Sequence, residues 1–223
     1  MTVLQLLIVA VYGLCLAFIF CYSLVQLHLT DLYWTCKKQS PTPDAIPDQQ
    51  EWPLVTVQLP LYNERYVVER LIDAVAALDY PPHLLQIQLL DDSDDDTSEL
   101  IWEKIKAYTC KGLKMEHIRR PERVGYKAGA LQYGLEWASG DFIAIFDADF
   151  IPAPDFLRRT QPAFNHEKVG VVQTRWGHLN ENYSLLTRLQ AFGLNAHFTV
   201  EQAGRNSGGH FINFNGTAGV WRK

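Results

Sequence analysis

Charged residues are missing from the first thirty positions of this chain of 223 residues. The first acidic residue is Asp31 and the first basic residue is Lys37, so almost all of the charge lies beyond residue 35. The apolar stretch Val3–Leu29 is longer than the roughly 20 residues that a helix needs to cross a bilayer. A secretory signal peptide would need a basic start, a shorter apolar core and a small-residue cleavage site, and none of these is present. We therefore expect residues 1–35 to form a transmembrane anchor.

Cysteine is scarce, and two common nucleotide-binding motifs are missing. The sequence has four cysteines and no Cys-x-x-Cys pair, which excludes a disulfide framework and a cysteine zinc site. Neither a Walker A sequence nor Gly-x-Gly-x-x-Gly occurs, which argues against a P-loop nucleotidase and a dinucleotide-dependent enzyme. The formal net charge of −5 offers no electrostatic surface for nucleic acid, so no nucleic-acid partner is expected.

Two lysines and a proline-rich segment follow the apolar stretch. Lys37 and Lys38 come directly after it, and no Lys or Arg precedes it. The positive-inside rule therefore predicts that the remainder of the chain is cytoplasmic. Residues 36–53 contain four prolines and are predicted to form an extended, semi-rigid linker. Residues 54–223 are left for a globular domain held at a membrane.

Apolar runs of strand length alternate with helical periodicity in residues 54–223. The predicted strands are Val55–Leu59, Leu85–Leu90, Met115–Arg119, Phe142–Phe146 and Val169–Gln173. The predicted helices are Asn63–Leu78, Ser98–Tyr108 and Tyr126–Ala138. This alternation is typical of an α/β domain with a parallel sheet and crossover helices. Because ligands of such sheets bind beyond the carboxyl ends of the strands, the residues after each strand are candidates for a functional site.

Carboxylates follow three of the predicted strands. Glu64 comes after the first strand, Asp91 and Asp92 after the second, and Asp147 and Asp149 after the fourth. Carboxylates that converge on one edge of a sheet repel one another unless a cation neutralises them. Oxygen ligands suit Mg²⁺ or Mn²⁺, and these ions commonly bind phosphate oxygens as well. The sequence therefore predicts a divalent metal ion and a phosphate group at this edge.

The acidic run Asp92–Asp96 has two other interpretations. Its spacing to Glu103 mimics an EF-hand calcium loop, but Thr97 stands where that loop needs glycine, and a strand precedes it instead of a helix. The simpler interpretation is that the last three aspartates of the run cap and solvate the start of the second helix. That interpretation explains Asp91 and Asp92 less well, because they stand directly at the end of the strand.

A lysine at the start of the third predicted helix is the candidate for binding phosphate. Lys127 lies between Gly125 and Gly129, where its charge and the free N–H groups of a helix start could bind a diphosphate. The arginines of the preceding sequence HIRRPERVG fit a phosphate surface and a solvated basic loop about equally well. A diphosphate held by a metal ion and Lys127, without a Walker motif, indicates a nucleotide-sugar donor.

Five segments of the chain resemble, in order, the inverting family 2 glycosyltransferases. They are VQLPLYNE, LLDDSDDDT, GYKAGAL, IFDADFIPAPDFLRRT and FNGTAGVWRK, and the resemblance extends from Trp52 to the end. HFTVEQ followed by FNGTAGVWRK particularly resembles the cellulose-synthase-like mannan and glucomannan synthases, with the cellulose synthases as a second match. The resemblance implies a GT-A domain, which is a Rossmann-like nucleotide-diphospho-sugar transferase fold, over residues 54–223. It also implies that this domain is incomplete at its carboxyl end.

The resemblance implies roles for residues around the donor. Tyr62 and Glu64 would border the nucleotide base. Asp92, with Asp91 beside it, would contact the nucleoside. Lys127 would hold the diphosphate of GDP-mannose, GDP-glucose or UDP-glucose.

The resemblance also implies a metal pair, an acceptor segment and an interface helix. Asp147 would contact the nucleotide sugar and, with Asp149 as the more direct ligand, would bind Mg²⁺ or Mn²⁺. The residues near the acceptor sugar would be Phe214, Asn215, Gly216 and Thr217. His197 and Glu201 would lie on a helix that faces the membrane, joined by a structural hydrogen bond.

The function expected from these residues is that of an inverting glycosyltransferase. It would move a hexose from a nucleotide-diphosphate sugar to a growing β-linked polysaccharide, at the cytoplasmic face of a bacterial inner membrane or of the Golgi. The partners would be the donor, a glycan acceptor and the lipid bilayer. The alternatives are a transferase that adds one sugar to a lipid acceptor and a non-catalytic membrane subunit that binds a nucleotide sugar.

The family places its catalytic base in a T-E-D motif, and a Q-x-x-R-W motif after that, both beyond the position that corresponds to Lys223. No catalytic base is therefore expected among these residues, although an inverting transfer needs one to deprotonate the acceptor hydroxyl. We expect a polypeptide of only these 223 residues to transfer little or no sugar. Incubation of the purified polypeptide with labelled donor and acceptor, followed by product analysis, checks this. Robust transfer would contradict it.

Overall fold

The computed structural model describes residues 2–37 and 51–223, so most of the predicted linker over 36–53 lies outside the described residues. The described residues divide into two compact units. One unit contains the first helix and residues Arg175–Asn213, and the other contains residues 51–174 and Phe214–Lys223. The units are called the helical unit and the sheet unit below.

The sheet unit is built on one mixed sheet. Its strands are β1 (Val55–Leu61), β2 (Leu85–Asp91), β3 (Lys114–Ile118), β4 (Phe142–Ile145), β5 (Val171–Gln173) and β6 (Gly219–Arg222). The order across the sheet is β3-β2-β1-β4-β6-β5. The first four strands of this order are parallel, whereas β6 is antiparallel to both β4 and β5. The carboxyl ends of four strands therefore meet at one edge.

Helices connect the strands of the sheet unit. They are α2 (Val68–Ala76), α3 (Thr97–Thr109), α4 (Tyr126–Leu135) and α5 (Phe156–Thr160), with 3₁₀ turns at Pro82–Leu84 and Gln161–Asn165. The apolar stripe of α2 packs its buried residues Leu71, Ile72 and Val75 into the core, as its helical periodicity predicts. The α/β architecture predicted from the sequence is thus confirmed.

The face of the sheet beneath α4 is polar but buried. Gln58 donates to the side-chain oxygen of Gln88 at 3.0 Å and to the backbone carbonyl of Leu131 in α4 at 3.3 Å. Gly134 of α4 lies over these amides, and a Cβ there would come within 2.6 Å of the Gln58 amide nitrogen. The helix that carries Lys127 is therefore held to the sheet by close approach and hydrogen bonds as well as by apolar packing.

The end of β1, the start of α2 and the direction of the chain at β6 differ from the prediction, and the other predicted boundaries differ by at most three residues. Strand β1 continues through Pro60, which pairs with Leu90 on β2. On the other side β4 pairs only as far as Gln58, so the missing N–H of Pro60 faces no strand. The parallel arrangement fails at β6 because Gly219 pairs with Ile145, and the chain re-enters the sheet where β4 ends.

The predicted helix from Asn63 begins five residues later, at Val68. Asn63 has a left-handed backbone with φ of 57°. Its side chain donates to the carboxylate of Asp94 at 2.7 Å, and its N–H donates to the Ser93 hydroxyl at 3.0 Å. These bonds fix a turn that a helix starting at Asn63 would break.

The helical unit contains α1 (Val3–Lys37), α6 (Leu185–Ala196), a π-helix (His197–Gln202) and α7 (Ala203–Ser207). Among the residues described, α1 is the one helix long and apolar enough to cross a bilayer. A Cβ on Gly204 would come within 2.6 Å of the Leu29 carbonyl oxygen, so glycine permits the close packing of α7 on the end of α1.

Candidate functional site

A cleft of about 400 Å³ lies at the carboxyl edge of the parallel strands. Its lining residues come from the ends of β1, β2 and β4 and from the start of α4. They include Tyr62, Glu64, Asp92, Arg123, Lys127, Asp147 and Asp149. The convergence of carboxylates predicted from three strand ends is therefore present in the structure.

The turn after β4 presents the Asp-x-Asp pair to the cleft. Phe146 is fully buried and Ala148 is nearly so, whereas Asp147 is half-buried and Asp149 is exposed. The Phe146 ring stacks on Phe150 with centroids 5.4 Å apart. Alternation between buried apolar residues and aspartates thus fixes the turn in the core and leaves both carboxylates at the surface.

Lys127 lies in the first turn of α4 and spans two parts of the site. Its ammonium group pairs with the carboxylate of Asp147 and donates to the carbonyl oxygen of Gly216 at 2.8 Å. The backbone before it is unusual, because Gly125 and Tyr126 both have positive φ, 72° and 47°. This double left-handed turn aims the start of α4 at the cleft, where its free N–H groups favour an anion.

The cleft carries an excess of negative charge around Glu64. Burial raises the pKa of Glu64, and the neighbouring carboxylates of Asp149 and Asp147 raise it further. A bound cation would relieve this repulsion and favour the ionised form. The electrostatics of the cleft therefore fit a cation.

The ligand chemistry specifies which kind of cation fits. Within residues 2–37 and 51–223, no group of three or more His, Cys, Asp or Glu side chains is arranged to hold a metal ion alone. Asp147 and Asp149 offer two carboxylates. Mg²⁺ and Mn²⁺ in nucleotide enzymes bind through one or two carboxylates together with substrate phosphates and water. The pair therefore fits such an ion in the company of a phosphate ligand.

Asp92 is held by a bidentate ion pair at the end of β2. Arg120 donates to its two carboxylate oxygens at 2.8 and 2.6 Å, and both side chains are 7% exposed. The same guanidinium donates to the carbonyl oxygens of Val124 at 2.5 Å and Tyr126 at 2.8 Å. Arg120 therefore braces the loop before α4 against Asp92, and it is neither a solvated residue nor a free phosphate ligand.

Arg123 and Tyr62 form one wall of the cleft. The guanidinium carbon of Arg123 lies 3.4 Å from the centroid of the Tyr62 ring, which is close stacking. Its Nε atom is 3.8 Å from the Asp92 carboxylate. The wall thus combines an aromatic face, a guanidinium and a carboxylate, which are the groups that bind planar heterocycles.

Asp91 lies beneath the cleft and does not line it. Its side chain is fully buried and accepts from the Ser98 hydroxyl at 2.6 Å and from the N–H of Ser93 at 2.9 Å. The His117 ring nitrogen Nε2 lies 2.8 Å from Oδ2 of Asp91, the same oxygen that accepts from Ser98. Burial opposes ionisation of Asp91, but the hydrogen bonds of His117, Ser98 and Ser93 outweigh it and lower its pKa. The predicted contact of Asp91 with a nucleoside can therefore act only through its neighbours.

The predicted acceptor residues form a turn beside Asp147. The Thr217 hydroxyl accepts the backbone N–H of Asp147 at 2.9 Å. The Phe214 ring packs beside Ile143 and Ile145 and meets Trp221 edge-on. The structure therefore brings Gly216 and Thr217 to Lys127 and Asp147 and sends Phe214 towards the core.

The predicted hydrogen bond within HFTVEQ is present in the helical unit. His197 Nδ1 lies 2.8 Å from the Glu201 carboxylate. The other carboxylate oxygen of Glu201 accepts from Gln26 at 3.3 Å and Tyr22 at 3.4 Å on α1. The pair thus joins the π-helix to α1.

Sequence reasoning did not identify the separate roles of Arg120, Arg123 and Gln173. Arg123 carried the same signal as the other arginines of its loop, and only the packing separates it from Arg120. Gln173 had no local signal, because its side chain bonds the backbone of a segment more than forty residues later. Residues of this kind become visible only when the topology is known.

The chain is similar in sequence and in fold to known proteins. The sequence profile of "Glycosyl transferase family 2" matches residues 56–223. The chain belongs to glycosyl transferase family 2. The family membership predicted from the sequence segments is therefore confirmed.

Two relatives of this family 2 chain are mannosyltransferases by name. A probable glucomannan 4-beta-mannosyltransferase 2 of Oryza sativa subsp. japonica is 46% identical over 177 residues. Glucomannan 4-beta-mannosyltransferase 2 of Arabidopsis thaliana is 40% identical over 211 residues. The matches cover 77% and 90% of this chain, but the chain spans only 30% and 40% of the lengths of these relatives.

Solved structures of glycosyltransferases share the fold. The mannosyltransferase PcManGT from Pyrobaculum calidifontis, in complex with GDP-Man and Mn²⁺, has a TM-score of 0.65 at 25% identity. That match covers 89% of this family 2 chain and 56% of PcManGT. TarS of S. aureus has a TM-score of 0.50 at 21% identity, over 56% of this chain and 22% of TarS, and supports the fold alone. The GT-A fold predicted from the sequence is thereby confirmed.

The buried Asp91 makes the stability of the sheet unit dependent on pH. Because its pKa is lower in the folded state, its contribution is complete above the unfolded value of about 4 and is lost as the pH falls towards the folded value. We expect Asp91→Asn to destabilise the protein by about 1–3 kcal/mol at pH 7, and the difference from the parent to shrink below about pH 4.

Unfolding monitored at several pH values measures this difference. Asp141→Asn, at an exposed position at the opposite end of the sheet, is the matched control and should show no comparable loss. A destabilisation by Asp91→Asn that stays constant from pH 7 to pH 3 would contradict the assignment.

Proposed function

We propose that this chain supplies the donor site of an inverting glycosyltransferase that moves a hexose from a nucleotide-diphosphate sugar to a growing β-linked polysaccharide. The observation that carries the proposal is the presence of Lys127, Asp147 and Asp149 in one cleft at the carboxyl edge of the sheet. A cation-binding carboxylate pair beside a lysine at a helix start suits the departure of a nucleoside diphosphate.

The diphosphate would bind at the start of α4. The side chain of Lys127 is 39% exposed. Its ammonium group can therefore turn from Asp147 to a phosphate oxygen without leaving the cleft. The N–H groups of the first turn of α4 would add hydrogen bonds to the same phosphates. Lys127 would then stabilise the charge that develops on the leaving diphosphate.

The metal ion would bind to Asp149 and Asp147. When bound, it supplies a positive charge that neutralises the diphosphate. PcManGT is described in complex with Mn²⁺ and GDP-Man, which supports a divalent ion here, and Mg²⁺ has the same ligand preferences. Glu64 would lie close enough to interact with the charge of the ion, because the carboxylates of Asp149 and Asp147 already raise its pKa.

The nucleoside would bind against the wall formed by Tyr62, Arg123 and Asp92. The Tyr62 ring would stack on the base and the Asp92 carboxylate would accept from base N–H groups. Asp91 would fix this edge from below through Ser93 and Ser98. The names of the relatives and of PcManGT favour GDP-mannose, and GDP-glucose and UDP-glucose are the alternatives that a binding comparison separates.

The acceptor would approach the turn at Gly216 and Thr217, which lies against Asp147 and Lys127. A glycan hydroxyl placed there would be close to the sugar of a donor whose diphosphate is held by Lys127. The glucomannan transferase names of the relatives support a polysaccharide acceptor. Analysis of product length distinguishes a polymer from the single addition that a lipid acceptor would give.

The metal assignment predicts the behaviour of Asp149→Ala. Because Asp149 is exposed and makes no ion pair among the described residues, its removal should leave the fold unchanged. We expect the Mn²⁺-dependent part of GDP or UDP binding to weaken about tenfold or more. Calorimetric titration of both nucleotides with and without Mn²⁺ measures this and identifies the base.

The matched control is Asp141→Ala, which removes an equal charge at the opposite end of β4. It should bind both nucleotides as the parent does. Unchanged dependence on Mn²⁺ in Asp149→Ala would refute the metal assignment.

We also propose that the helical unit lies at a membrane. The apolar surface of α1 is exposed apart from the buried Leu29 near its end. Lys37 at that end lies over the rings of Tyr33 and Trp34 at 5.6 and 5.9 Å. Aromatic rings beside a basic residue are typical of a membrane interface. The two lysines after the span favour a cytoplasmic location for the sheet unit, at a bacterial inner membrane or the Golgi.

Helix α6 supports a location at the membrane because it buries small residues and exposes large apolar ones. Its small residues Thr187 and Ala191 are buried in the unit. Its large apolar residues are exposed at Leu185 (74%), Leu186 (66%), Leu189 (58%) and Phe192 (73%). A stripe of this size exposed at helical spacing is stable only against an apolar medium, and the bilayer interface supplies one.

The lipid contact of α6 is measurable with a spin label. We expect a nitroxide at position 192, with the four native cysteines replaced, to collide more with oxygen than with a water-soluble nickel complex in lipid nanodiscs. A label at the exposed Lys111 should show the opposite order. Equal exposure of both labels to the nickel complex would place α6 in water.

A further inference from the structure

The turn between Asn215 and Ala218 has a backbone that needs external support. Gly216 has φ of 81° and Ala218 has φ of 55°. Ala218 is fully buried, so a left-handed alanine is held there without help from solvent. Left-handed backbone at a residue with a Cβ is unfavourable by itself and persists only where the surroundings impose it.

The side chain of Gln173 forms hydrogen bonds with both ends of this turn. Gln173 ends β5, and its amide nitrogen lies 3.1 Å from the Thr217 carbonyl oxygen and 3.2 Å from that of Ala218. Its amide oxygen accepts the backbone N–H of Asn215 at 3.0 Å. One side chain thus satisfies backbone groups at both ends of the turn. Thr174 adds two hydrogen bonds to the Ala218 carbonyl, at 3.0 Å from its N–H and 2.7 Å from its hydroxyl.

The other side of the turn contacts the two charged groups of the cleft. The Gly216 carbonyl oxygen accepts from Lys127 at 2.8 Å. The Thr217 hydroxyl accepts the N–H of Asp147 at 2.9 Å. Gln173 itself does not line the cleft. Gln173 therefore reaches Lys127 and Asp147 only through the turn, which forms a hydrogen bond with each of them.

We infer that Gln173 is a positioning residue for the donor site, acting through the turn 215–218. This inference rests on the proposed function, because it assigns Lys127 and Asp147 to the metal-bound diphosphate. The turn holds the Lys127 ammonium through the Gly216 carbonyl and the Asp147 backbone through the Thr217 hydroxyl. Without the hydrogen bonds of Gln173, both contacts loosen. Lys127 and Asp147 then move from the positions in which the ammonium would meet the diphosphate and the carboxylate would meet the metal ion.

The test uses two variants of similar shape in the full 223-residue chain in detergent. Gln173→Met removes all the hydrogen bonds of the side chain. Gln173→Glu keeps the acceptor for Asn215 but sets an oxygen against the carbonyls of Thr217 and Ala218. Both should weaken the binding of Mn²⁺ with nucleoside diphosphate about tenfold to a hundredfold, as the loss of a supporting partner does at other metal sites. GDP and UDP are both titrated, and the one that the parent binds is used.

Two further measurements separate positioning from a general loss of structure. Binding of the nucleoside without phosphates should stay within about twofold of the parent, because the wall that would hold the base is untouched. In the metal-free protein, hydrogen exchange should accelerate at the Asp147 amide and in residues 215–218, and nowhere else in the sheet. Val172→Ala, next to Gln173 on the same edge strand, is the matched control and should keep the diphosphate affinity of the parent.

A second pair of variants tests the contact on the cleft side of the turn. Thr217→Val removes the acceptor for the Asp147 N–H and should reproduce part of the loss of diphosphate affinity. Thr217→Ser keeps the hydroxyl and should bind the diphosphate as the parent does. Diphosphate affinity equal to that of Val172→Ala in both Gln173 variants would overturn the inference, as would equal losses of nucleoside and diphosphate binding. A parent chain that binds neither GDP nor UDP with Mn²⁺ would instead overturn the proposed function, and the inference with it.

Discussion

Repulsion among carboxylates at the carboxyl edge of the sheet is the constraint on which the rest of the site depends. Parallel strands bring their ends together, so acidic residues that are far apart in sequence become neighbours. Three of them have partners, in order of decreasing burial: Asp91 contacts His117 and lies 3.7 Å from Arg119, Asp92 pairs with Arg120, and Asp147 pairs with Lys127. The half-buried Glu64 and the exposed Asp149 have no ion pair among the described residues.

This gradient separates supporting residues from residues available to a ligand. A bidentate arginine pair such as Arg120–Asp92 is rigid, so it shapes the loop before α4 and would stay intact while the remaining lone pairs of Asp92 accept from a base. The pair of Lys127 and Asp147 is partly exposed, and an entering diphosphate and cation can replace each half of it. The ion pair that a ligand can displace thus lies nearer the surface than the ion pair that supports the loop. A site needs this arrangement if ligand binding is not to disturb the fold.

The sequence was sufficient to predict which residues lie at the ends of the strands. It was insufficient to predict whether each of their side chains faces the cleft or the interior. Alternation of strands and helices located Glu64, Asp92, Asp147 and Lys127 at one edge, because parallel topology dictates that convergence. It could not separate Asp91 from Asp92, since neighbouring residues at a strand end point to opposite sides. It also could not find Gln173, whose partners are backbone groups that β6 brings back to the sheet after a long excursion.

Helix α6 shows a different limit of sequence reading. Periodicity identifies an apolar stripe but not the medium that the stripe faces. In a water-soluble domain, Leu185, Leu189 and Phe192 would point into the core and the small residues would point out. Here Thr187 and Ala191 point inward, because the helix lies close to its neighbours in the helical unit and leaves its large side chains outside. The same sequence pattern therefore fits a helix that buries its large residues and one that exposes them, and only the inward packing of the small residues distinguishes the two.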